Sequence, residues 1–158
     1  MMGGVNHKLE LMRNYLMKRG LEDELGQWCD NHGITRRGYN GANKLDGNNA
    51  SRFLTKVEDP RTAAWFPEEA EPIVDCLLEF RKVKDSCFGW DLGNDWREDI
   101  HSYTAMFSDL QHYATEVLEE NLTVTWKIHM VTCHLETFLE KVINQSLNTL
   151  LFHCQNDL

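Results

Sequence analysis

Trp96-Arg-Glu-Asp-Ile100-His-Ser-Tyr103-Thr-Ala-Met-Phe107-Ser-Asp-Leu110-Gln-His-Tyr-Ala114-Thr-Glu-Val117-Leu118 sets the period for the whole chain. Trp96, Ile100, Tyr103, Phe107, Leu110, Ala114, Val117 and Leu118 recur in steps of three and four, which marks one face of an α-helix. Glu and Asp fill the opposite side. This predicts a long helix over about 95–120 with that stripe buried, and with His101 and His112 on its polar margins.

Working outward, the same period returns in both directions. A helix over 5–19 carries Leu9, Met12, Tyr15 and Leu16, and Gly20 stops it. A second, over 21–31, carries Leu21, Leu25 and Trp28 and ends at Asn31-His32-Gly33. Residues 34–47 are rich in Gly and Asn and predict an ordered loop, with Tyr39 inserting into the core or supporting the loop. Asn48 or Asn49 is expected to cap a helix reaching about Val57, which buries Phe53, Leu54 and Val57. Pro60 to Pro72 is a break, with Trp65-Phe66-Pro67 expected to plug a groove. The next helix begins near Pro72, since proline is tolerated in a first turn. It runs to about Lys84 through Ile73, Leu77, Phe80 and Val83.

On the C-terminal side, Asn121-Leu-Thr123 breaks the long helix, and Thr123 or Thr125 can cap its successor. That successor runs to about Val142 and offers Ile128, Val131, Leu135, Phe138 and Val142 to the core. Asn144 is expected to restart a last helix through Leu147, Leu150, Leu151 and Cys154. No run alternates with the period of a strand. The expected class is all-α, an irregular bundle of about six or seven helices in one domain over 1–158.

Composition narrows the function. The chain has 158 residues, 42% hydrophobic and 26% charged, and a formal charge of −9. That charge opposes broad phosphate-driven nucleic-acid binding, which needs clustered Lys and Arg. Only a local patch such as Arg36-Arg37 offers it. No apolar run approaches the roughly 20 residues that span a bilayer, and the first residues lack the apolar core of a secretory signal. Five scattered cysteines with no Cys-x-x-Cys pair read as reduced thiols, which points to an intracellular setting.

The densest chemistry lies in Lys127-Ile-His129-Met-Val-Thr-Cys133-His134. His129 and Cys133 are four apart and share a helical face, as two zinc ligands can. His134 lies five from His129, about 140° around an ideal helix, so the two can share a metal only if the helix distorts. His153 and Cys154 are further possible ligands. The alternative is that His129 and Cys133 are ordinary packed or semi-exposed residues. Gly47-Asn48 at a helix start can hold an anion on free N–H groups, or can be a plain capped turn.

Several blocks together resemble the C-terminal part of RNase H-like transposases of the Transib and V(D)J-recombinase kind. They are Tyr39-Asn-Gly41 with Gly47-Asn48 and Arg52-Phe-Leu54, then 65–83, Cys87-Phe-Gly89 with the long helix, and His129 with His134. The resemblance covers roughly 21–158. It implies a zinc role for the two histidines, contacts to transposon-end DNA or a protein partner around Arg36, Arg37, Gly47, Asn48 and Arg52, and a nuclear setting. The chain departs from that pattern in two places. The family's zinc site also uses an earlier Cys-x-x-Cys, absent here. Its catalysis uses two Asp and a Glu that bind two divalent metals. The Asp pair lies N-terminal to the matched part, and Cys154 or Asp157 stands where the Glu belongs.

The expectation is therefore a transposase-derived helical domain without catalysis of its own, serving as a binding or assembly module through protein contacts or self-association. Two alternatives stay open: a fragment of an active metal-dependent transposase or nuclease, and an unrelated small helical adaptor.

Overall fold

The computed structural model describes the backbone of residues 2–36 and 44–156, with side chains for 3–36 and 44–151. Tyr39 and Arg37 lie outside the described residues, as does most of the predicted loop. The fold is all-α, with no strand among the described residues. In order, the helices are α1 (Met2–Lys18), α2 (Glu22–Asn31), α3 (Gly47–Thr55), α4 (Glu71–Cys87), α5 (Trp96–Tyr113), α6 (Trp126–His129) and α7 (Leu135–Asn156). Short 3-10 turns at Asp59–Thr62 and Glu68–Ala70 precede α4. A π-helical turn at Ala114–Leu118 extends α5, and a second at Met130–His134 joins α6 to α7. The chain divides into two compact units, Met1–Thr123 and Val124–Leu158.

In the first unit, α4 and α5 form a helical hairpin, and α1 packs across α4 with α2 and α3 beside it. The core is the predicted one: Leu9, Met12, Leu16, Leu25, Phe53, Ile73, Leu77, Phe80, Ile100, Tyr103 and Phe107 are all buried. α1 and α2 end as their glycines dictate. Gly20 and Gly33 take φ of +71° and +69°, and Leu21 and Ile34 donate back to Leu16 O (2.8 Å) and Cys29 O (2.9 Å). This pattern closes the free carbonyls of a helix end.

Several expectations need correction. α3 begins at Gly47, and its cap is Asp46, whose carboxylate accepts from the Asn49 N–H. Asn49 is instead buried, accepting from the Thr35 N–H at 2.9 Å. Trp65 and Phe66 are half-buried and meet each other edge-on at 5.7 Å, while Pro60 and Ala70 are the buried anchors of that break. Val117 is exposed, because the π turn spaces Ala114 and Leu118 onto the core and rotates Val117 away. No break occurs at Asn144, since α7 runs without interruption from Leu135 to Asn156.

The end of α5 stores a small strain. Glu119 takes φ +55° and ψ 37°, the left-handed region that side chains resist. It lets the Glu120 N–H reach Ala114 O at 2.9 Å. Lys18 holds the same corner, donating to Glu119 O (3.2 Å) and pairing with Glu120 (2.7 Å). All three backbone groups survive in a Glu119→Gly variant. That variant is expected to gain about 0.5–1 kcal/mol in urea denaturation, with an unchanged slope.

Candidate functional site

Of the predicted metal residues His129, Cys133 and His134, the second π turn brings the two histidines together. Thr125 caps α6, its hydroxyl accepting from the Ile128 N–H. Leu135 then donates to Met130 O across the π turn, five residues back. A π turn fits one extra residue into the turn, so residues five apart return to the same side. His129 and His134 consequently meet: their Nε2 atoms are 3.1 Å apart, and their rings lie edge to face with centroids 4.9 Å apart. The 140° separation of an ideal helix is corrected here by that local geometry. The Trp126 ring sits 5.9 Å from His129. Cys133 is exposed, and its sulfur lies 3.6 Å from the Thr132 hydroxyl.

Two imidazole nitrogens on one tetrahedral zinc, each about 2.0–2.1 Å from the metal, stand about 3.3 Å apart. The 3.1 Å between the Nε2 atoms fits one edge of such a site. A closed structural site needs four ligands. Among the described residues no group of three or more His, Cys, Asp or Glu converges, and the side chains of His153 and Cys154 lie outside them. The pair therefore fits half of a site. As it stands, the contact is also a hydrogen bond in which one ring donates and the other accepts.

Among the described residues, the predicted DNA- or partner-binding positions stand as follows. Arg36 lies over Gly26, where an added Cβ would sit 2.6 Å from its Nη2, in a cleft lined by Glu22, Asp23 and Asp30. Arg52 donates to Gly33 O at 3.2 Å. Gly47 and Asn48 open α3 under the Asp46 cap, so the helix start already holds a carboxylate.

Sequence reasoning missed Lys8. It falls three residues after Val5 and four before Met12, inside the buried stripe of α1, and that spacing was the available signal. Lys8 is fully buried. Its ammonium donates to Gly4 O at 3.1 Å and faces the rings of Phe80, Tyr103 and Phe107 at 4.9, 4.9 and 5.4 Å. Burial pushes its pKa down to about 8. The neighbouring Tyr103 hydroxyl is buried without a hydrogen-bond partner, and burial pushes its pKa up. The arrangement is closed to solvent, so it serves the core rather than a substrate.

The other feature that stands out is apolar. Along 126–151, Trp126, Met130, Phe138, Val142, Leu147, Leu150 and Leu151 are exposed, whereas Ile128 and Leu139 are buried. Phe138 and Val142 were expected in the core. The π turn adds a residue and rotates everything after His134 by about 100° relative to a straight helix. No helix among the described residues is long and apolar enough to cross a membrane. Comparison with protein-family models, curated proteins and solved structures finds no match to this chain.

Proposed function

We propose that this chain is a non-catalytic helical module, derived from the C-terminal part of a transposase, that works by holding another polypeptide. The observation that carries the binding role is the run of exposed apolar side chains on α7. Exposed apolar surface on this scale marks interaction sites. The transposase ancestry rests on the order of the sequence blocks and on the π turn that brings His129 and His134 together. A protein partner is favoured over DNA because Arg36 sits half-buried in a cleft lined by Glu22, Asp23 and Asp30, Arg52 bonds Gly33 O, and the chain carries −9.

A photo-crosslinking residue at Leu147, used in cells, is expected to trap a protein. A folded chain that traps none would end this reading. Duplex DNA should show no salt-sensitive retention, and plasmid DNA should stay intact in Mg²⁺ and Mn²⁺. Cleavage would favour the nuclease alternative.

The same reading treats His129 and His134 as the remnant of a zinc site. Zn²⁺ or Ni²⁺ titration is expected to give weak binding that His129→Ala abolishes. Deleting Thr132 removes the extra residue and leaves the histidines four apart on a regular helix, still on one side. Affinity should then stay within about threefold. A gain of about tenfold or more would mean that the pair does not meet in the native turn.

A further inference from the structure

His129 and His134 form a two-nitrogen clamp, and no described residue completes it as a site. Their Nε2 atoms stand 3.1 Å apart on an exposed stretch of helix, and no third His, Cys, Asp or Glu among the described residues converges there. Outside the described side chains, only His153, Cys154 and Asp157 are of those four types. They belong to the far end of α7. That helix is continuous from Leu135 to Asn156, so at 1.5 Å per residue His153 is carried about 27 Å beyond Leu135, with Cys154 and Asp157 after it. The clamp alone does not enclose an ion either. Two nitrogens on opposite sides of a two-coordinate ion stand about 4 Å apart at ordinary bond lengths, well above 3.1 Å. A metal held here therefore has open positions, and they are filled from outside this chain.

We infer that the clamp of a second copy fills them, so that one divalent ion of the Zn²⁺ kind joins two chains through four histidines. Symmetry argues for that occupant. The four ligands of a tetrahedral ion lie at the ends of two opposite edges of equal length, about 3.3 Å for zinc and imidazole. A two-fold axis through the ion carries one edge onto the other. A pair that fits one edge thus fits both when the chain is repeated about that axis, as two-fold pairing repeats every contact. Charge agrees. Imidazole binds metal as the neutral ring, so the loaded clamp carries the ion's double positive charge. Two chains of −9 repel each other, and the ion lies between them where they meet. Access agrees as well. His134 is exposed, and Trp126, whose ring lies 5.9 Å from that of His129, is 72% exposed and open to cover by the approaching copy. The inference rests on the metal-binding reading of this pair and names what completes the site.

Sedimentation velocity of the full chain titrated with ZnCl₂ tests it. A parallel titration with CoCl₂ reads the geometry, since tetrahedral Co²⁺ absorbs strongly in the visible and octahedral Co²⁺ only weakly. At about 100 μM chain, dimer is expected to grow up to about half an equivalent of metal. It should then decline as excess metal gives each clamp its own ion, and disappear in EDTA. His134→Ala should weaken dimer formation at least about tenfold, and circular dichroism shows whether that variant keeps its helix. If it does not, His134→Gln, of similar size and good helix propensity, replaces it and is expected to act in the same direction. Cys133→Ser should leave the dimer within about threefold.

Metal that binds one per chain without any dimer overturns the inference and leaves the metal-binding reading of the pair standing. A chain that binds no metal ends both. An association that keeps growing with excess metal, or that persists in a folded His134 variant, comes from other groups and overturns the inference. A dimer lost in Cys133→Ser makes the thiol a ligand and overturns the four-histidine site too.

Discussion

Lys8→Met is expected to raise stability at neutral pH by about 1–3 kcal/mol. Lys8 is folded into an apolar site with one hydrogen bond, to Gly4 O. Its pKa falls from 10.5 to about 8 because burial penalises the charged form. Each pKa unit is about 1.4 kcal/mol, so burial alone sets a penalty of about 3 kcal/mol. The faces of Phe80, Tyr103 and Phe107 return part of it through cation–π attraction. Methionine has similar length, fills the same space and packs well against rings.

The pH dependence has a definite sign. Below about pH 8 both folded and unfolded Lys8 are protonated, and the native state carries the full penalty. Between about 8 and 10.5 the unfolded chain holds the proton that the native one has lost, so this group's contribution to stability rises with pH. Cys29, Cys76 and Cys87 act oppositely. Burial pushes each thiol up to about 11, so stability falls as the unfolded thiols ionise above 9. The difference between wild type and Lys8→Met isolates the lysine: urea denaturation from pH 7 to 10.5 should show the gap closing. A gap that does not change with pH would mean that Lys8 has water or a carboxylate beside it.

Phe80→Ala is expected to cost about 3–5 kcal/mol, as other fully buried phenylalanines do. Phe80 is 2% exposed, forms one wall around the Lys8 ammonium and lies tilted against the Tyr103 ring, centroids 5.4 Å apart. It is also where α1 sits tightest on α4, since a Cβ on Gly4 would come within 2.7 Å of its ring. Domains of this size are stable by about 5–15 kcal/mol in all, so the loss is a large share. Removing the ring also opens a space beside Lys8, where water would hydrate the ammonium. The rise in stability between pH 8 and 10.5 should therefore flatten in this variant, even though the lysine remains. Chemical denaturation over the same pH range checks both effects.

The helices were legible because their apolar positions repeat cleanly. Trp96 through Leu110, Leu9 through Leu16 and Ile73 through Val83 are all buried as the period requires. Gly20 and Gly33 marked their helix ends because only a left-handed residue closes them this way. What failed was anything resting on a constant 3.6-residue turn across two particular places. The two π turns shifted Val117, Phe138 and Val142 out of their expected faces, and the second brought together His129 and His134. A π turn has no residue signature comparable to glycine or proline, so a periodic reading passes through it unaware. Asp46 was overlooked as a cap because Asn48 and Asn49 compete for the role by type. Lys8 was missed because a lysine inside an apolar stripe ordinarily reaches out to water, and only the three rings around it show otherwise.

The turn at Met130–His134 behaves as an indexing joint. Each residue added to or removed from it turns α7 about its own axis by one fixed step of about 100°, while the helix remains continuous and its backbone bonds stay made. A single-codon length change at this place thus re-aims the apolar side of α7 without unfolding it. The direction in which that side points is set by residue count rather than by residue identity, a coordinate that selection or design can change independently of the side chains.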